Sequence, residues 1–77
     1  METLGNRIKK LREDEKMTQL ELAKCLFVSD KTISKWEKDN SEPELDIIVK
    51  IGQLFHVSTD YLICGISNDI SENISEN

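Results

Sequence analysis

Seventy-seven residues, 38% of them hydrophobic and 32% charged, make one small domain. The chain has no spare apolar material for a deep catalytic cleft and the scaffold to hold it. No apolar run approaches membrane-spanning length, and two cysteines (Cys25 and Cys64) with the single His56 cannot complete a tetrahedral zinc site without carboxylates.

The two cysteines are read as free thiols of a reducing cytoplasm rather than as one disulfide. The net charge of −5 conceals an asymmetry. Residues 1–38 hold nine Lys/Arg against seven Asp/Glu, a surplus of two positive charges. Residues 39–77 hold one lysine against eight acids, a deficit of seven. For a polyanionic partner this distribution matters more than the sum.

In chain order, Leu4, Ile8 and Leu11 follow the i, i+4, i+7 rule, so about residues 3–15 read as an amphipathic helix. Arg7, Lys9, Lys10 and Arg12 are expected on its polar sides. Thr18 with Glu21 three residues later is a capping box and opens a second helix with Leu22, Ala23 and Leu26 inward. "FVSD" ends that helix, and Ser29 caps the next, with Asp30 complementing the dipole in its first turn. So short a link forces a sharp crossing of the two helices, the geometry of a helix-turn-helix over about residues 18–38.

The third helix, "SDKTISKWEK", has two faces. Ile33 and Trp36 lie on one, while Lys31, Ser34, Lys35 and Lys38 lie on the other. "DNSEPE" is a polar loop, and Leu45, Ile48, Ile51, Gly52 and Phe55 mark a fourth helix. Gly52, where alanine is intrinsically better, implies a close neighbour. Ser58 caps a fifth helix carrying Tyr61, Leu62 and Ile63. The expected fold is all-α: a compact five-helix domain over residues 1–65, then an acidic low-complexity tail over 66–77. The composition of that tail predicts disorder. Its alternative is an apolar stripe of Ile66, Ile70 and Ile74 against a partner.

"TQLELAKCLFVSDKTISKWEKD" resembles the helix-turn-helix of the lambda-repressor/Cro (XRE) family, and "PELDIIVKIGQLFHVSTDYL" is similar to that family's fourth and fifth helices. The resemblance implies an anchored recognition helix, with Ala23 at the helix crossing, Val28 in the turn, and Ile33 and Trp36 in the core. It implies base reading in the major groove by Asp30, Lys31, Ser34 and Lys35, the lysines donating to guanine O6 and N7. It implies phosphate contacts from Gln19, Ser29, Thr32, Lys38 and Asn40, and a structural ion pair between Arg12 and Glu37. For several of these residues a plainer role stands alongside: Asp30 as a dipole-matching acid, Ser29 and Thr32 as capping groups.

The sequence departs from the family pattern at Phe27 and His56, where glycine or asparagine is usual. If those backbones keep positive φ, Phe27 is strained by roughly 1 kcal/mol; otherwise the turn is rebuilt, with the ring over the core edge or on a partner.

The expected partner is a double-stranded DNA operator, bound by a cytoplasmic homodimer at a palindrome. No cofactor, metal or enzymatic role is expected. The resemblance puts the dimer surface at the loop after Lys38, the fourth helix near Ile47, and the fifth helix. A repressor is the expected kind of regulator. The alternative is an antitoxin-like or other protein-interaction module that uses the acidic C-terminal half and the tail.

Overall fold

The computed structural model describes residues 2–65. The expected disorder of residues 66–77, and the alternative stripe of Ile66, Ile70 and Ile74, lie outside the described residues. Five helices follow one another: α1 (Leu4–Asp14), α2 (Gln19–Leu26), α3 (Asp30–Glu37), α4 (Leu45–Phe55) and α5 (Thr59–Cys64). There is no strand among the described residues.

Local side-chain chemistry sets most of the helix starts. The Thr18 N–H donates to Glu21 Oε1 at 2.8 Å, and the Glu21 N–H returns to Thr18 Oγ1 at 3.0 Å. This reciprocal cap opens α2 as the sequence predicts. Ser29 and Ser58 accept from the Thr32 and Tyr61 N–H groups at 3.2 and 3.0 Å. A second capping box, between Thr3 and Asn6, opens α1. Sequence reading passed over it because asparagine replaces the usual Glu or Gln at its third position.

The helix ends share a different device. Lys16, Phe27, Asp39 and His56 all take φ near +60°, a conformation that lets the next N–H groups turn back onto the last helical carbonyls. The Met17 N–H donates to Arg12 O at 3.0 Å, Val28 to Ala23 O at 3.0 Å, Asn40 to Lys35 O at 2.9 Å, and Val57 to Gly52 O at 2.9 Å. The left-handed turn is therefore kept at Phe27, not rebuilt, and the ring is 89% exposed rather than folded over the core edge. Carrying a Cβ there costs roughly 1–2 kcal/mol.

Ile8, Leu22, Ile33, Ile51 and Leu62 are fully buried and draw on every helix. Each contributes roughly 1.5–3 kcal/mol by leaving water. Ala23, Leu26, Trp36 and Ile48 complete this core. α3 packs against both α1 and α2, while α5 packs against α1 and α4. Two close approaches require glycine. A Cβ on Gly52 would stand 2.8 Å from Val57 O, the tight contact that the sequence implies. A Cβ on Gly5 would run into the Trp36 carbonyl and stand 2.6 Å from Asp39 Oδ1.

The expectation that Arg7 and Arg12 decorate the polar sides of α1 is corrected: both are buried. Positions 7 and 12 extend the 4, 8, 11 stripe at three- and four-residue spacing, so helical geometry turns their stems inward. A charged side chain accepts such a place only when its donors find partners.

Candidate nucleic-acid interface

α3 is built as an anchored rod with an open outer side. Ile33 and Trp36 are buried on its inner face, with Glu37 beside them. Asp30, Lys31, Lys35 and Lys38 are exposed, and Ser34 and Thr32 are half-buried. Lys31, Lys35 and Lys38 have no ion-pair partner among the described residues. Asp30 to Lys35 covers about 7.5 Å of helix axis at 1.5 Å per residue, about two base-pair steps of a duplex.

The residues expected at phosphates are placed less uniformly. The Ser29 and Thr32 hydroxyls lie 3.0 Å apart in a mutual hydrogen bond, and Ser29 Oγ also accepts the Thr32 N–H. Both hydroxyls thus take part in starting α3. Lys38 and Asn40 are exposed just past the end of α3. Gln19, first residue of α2, is half-buried, and its Nε2 donates to Glu37 Oε1 at 3.0 Å. Ala23 is buried where α2 meets α3, and Val28 in the turn is partly buried against the core.

Beneath this surface lies a polar network. Arg12 Nε donates to Glu37 Oε2 at 2.7 Å, and Arg12 Nη2 donates to Glu37 Oε1 at 3.0 Å. Arg12 Nη1 donates to Met17 O at 2.7 Å. The fork geometry of guanidinium and carboxylate makes such a pair strong and directional. Hydrogen bonding to Glu37 raises the Arg12 pKa from arginine's ordinary value, against the opposing effect of burial. The guanidinium therefore remains charged at every physiological pH. The network ties the end of α1, the start of α2 and the end of α3 together.

Sequence reading missed two polar anchors. Arg7 Nε donates to Leu62 O at 2.8 Å, Nη2 to Ile63 O at 3.1 Å, and Nη1 to Glu2 O at 3.2 Å. Asp39 accepts from Thr3 Oγ1 at 2.6 Å and from the Gly5 N–H at 3.1 Å, joining the segment after α3 to the start of α1. Its short carboxylate and positive φ suit both tasks, but its partners lie more than thirty positions upstream. Among the described residues, no group of His, Cys, Asp and Glu is placed to hold a metal ion. No helix is long and apolar enough to cross a membrane.

The sequence matches the model of the helix-turn-helix domain over residues 5–67. The chain belongs to that family. Its fold is of the lambda-repressor/Cro-like kind. It is 38% identical over 61 residues to the HTH-type transcriptional regulator ImmR of Bacillus subtilis (strain 168), covering 79% of this chain and 48% of ImmR. The chain thus spans about half the length of that relative. The crystal structure of the P22 c2 repressor in complex with a synthetic operator superposes with a TM-score of 0.80 at 32% identity, covering 86% of this chain and 100% of that one. The biofilm regulator SinR in complex with DNA gives a TM-score of 0.70 at 26% identity, covering 78% of this chain and 97% of that chain.

Proposed function

We propose that this protein is a sequence-specific double-stranded-DNA-binding transcriptional regulator, a repressor, that reads the major groove with residues 29–38. The observation that carries this reading is the outer side of α3. Two lysines one turn apart, Lys31 and Lys35, stand exposed without ion-pair partners among the described residues. An α-helix with its side chains is about 10–12 Å across, which fits a major groove about 12 Å wide. Lys31 and Lys35 read guanine O6 and N7, Ser34 is permissive, and Asp30 accepts from cytosine N4. Gln19, Ser29, Thr32, Lys38 and Asn40 hold the flanking phosphates and fix the register. The likeness to a repressor solved with its operator supports this reading.

A single α3 covers too few base pairs for genomic selectivity, so the protein acts as a homodimer on a palindrome with half-sites about one helical turn apart. Leu45, Val49 and Ile63 stay exposed on α4 and α5, which supports a dimer surface there.

Selection from a random duplex library, with wild type alongside a Lys31→Ala/Lys35→Ala variant, tests the reading. Wild type is expected to enrich a guanine-containing palindrome. The variant is expected to lose about 1–3 kcal/mol of discrimination at each lysine's base. No enrichment by wild type, with equally weak binding by both proteins, would remove the regulator reading and leave a protein-interaction module in its place.

A further inference from the structure

Gln19 stands at the start of α2, but its amide is not loose in solvent. It is held by Glu37, a carboxylate whose side chain is only 3% exposed and which lies eighteen positions further along the chain. Arg12 fixes that carboxylate first: its Nε and Nη2 engage both oxygens and set the plane of the group. Gln19 Nε2 then meets Oε1 from a third direction. A carboxamide nitrogen carries two N–H groups. Fixing one of them against Glu37 fixes the direction of the other, because both lie in the amide plane roughly 120° apart.

We propose, resting on the DNA-binding reading above, that Glu37 is a positioning residue for Gln19. The buried carboxylate, locked by Arg12, aims the second amide N–H of Gln19 at a DNA phosphate. A donor ordered before binding loses less side-chain freedom when the complex forms. The ion pair and the phosphate grip then act as one unit, although Glu37 itself never touches the nucleic acid.

The sign of the effect separates this from a plain charge effect. Removing a carboxylate from beneath a polyanion's docking face should, on charge alone, tighten binding. Removing a positioning group should weaken it.

The test is a double-mutant cycle between Gln19→Ala and Glu37→Gln. Binding is read by fluorescence anisotropy on a mixed-sequence duplex of about thirty base pairs at low salt, where phosphate contacts dominate. Each single variant is expected to bind about tenfold more weakly. Glu37→Gln is expected to add less than about twofold in the Gln19→Ala background, because coupled residues are not additive.

Equal losses in both backgrounds, or tighter binding by Glu37→Gln, would overturn the positioning role. Glu37→Gln leaves Arg12 with half its partner and could unfold the domain. Arg12→Met/Glu37→Leu, which keeps the net charge and replaces the pair with apolar groups of similar size, is therefore run through the same cycle.

A second readout needs no DNA. In wild type, one Gln19 side-chain amide proton resonance should be shifted away from its partner by the carboxylate. In the Glu37 variants the pair should return to ordinary glutamine positions. Unchanged resonances would refute the Glu37 contact directly. Wild type that binds no duplex at any salt would remove the function reading and, with it, any phosphate for Gln19 to grip. Binding by wild type without coupling in the cycle would remove the positioning role alone.

Discussion

Arg7 and Arg12 lie five residues apart on α1, and both are buried, yet the fold satisfies them by different means. Arg12 meets an opposite charge: Glu37 takes two of its N–H groups and Met17 O takes a third. Arg7 meets backbone dipoles instead: Leu62 O and Ile63 O at the end of α5, and Glu2 O from the N-terminal segment. A cation at a helix C-terminus is favoured by the helix dipole and by the orphan carbonyls there. One arginine closes the helix-turn-helix from within, and the other holds α5 against α1. Burial of a charge therefore says little about its importance until the partner left behind is named.

That difference predicts unequal losses. Arg12→Met leaves a buried carboxylate uncompensated, and chemical denaturation should show a loss of about 3–5 kcal/mol, much of the stability of a domain this small. Removing the charges together, in Arg12→Met/Glu37→Leu, should return stability to near wild type. If the double variant is as unstable as the single, the pair stabilises the fold in its own right and the contrast with Arg7 needs recasting.

Arg7→Met leaves carbonyls rather than a charge, one of them buried and two partly buried. A loss of about 1.5–3 kcal/mol is expected, with hydrogen exchange speeding up in α5 before the rest of the molecule. Uniform acceleration across α1, α2 and α3 would show that Arg7 supports the whole core.

The smallest effect belongs to Glu2, which approaches Arg7 Nη1 at 3.8 Å from a half-exposed position. Glu2→Ala should change stability by less than about 1 kcal/mol. A larger loss would mean that Arg7 depends on charge after all. Titration adds little to these contrasts. The folded-state pKa of Arg12 lies above arginine's ordinary value, so its contribution is complete at neutral pH and lost only in strong alkali.

The five helices were legible because their signals are local. Thr18 with Glu21, Ser29 and Ser58 announce starts within four residues of sequence, and apolar spacing names the inner faces. Gly52 was legible as a close approach for the same reason. The polar anchors were not, since their partners are remote. Nothing near Arg7 points to carbonyls 55 and 56 positions away, and nothing near Asp39 points to Gly5. The pairing of Arg12 with Glu37 entered through family resemblance, not through spacing. Gln19 is expected at a phosphate through the resemblance alone; its contact with Glu37 exists only once α2 and α3 have crossed.

Trp36 is the protein's single tryptophan and lies 6% exposed on the inner face of α3, opposite the lysines. Its indole is therefore an intrinsic optical gauge of one event, the seating of α3 in the core. Emission from the folded domain should be blue-shifted and should move to the red as α3 leaves its socket. Because the ring and the proposed reading surface are on opposite sides of the same short helix, duplex binding should leave the emission maximum nearly still. Folding and binding then become separable signals in one cuvette, with no label attached.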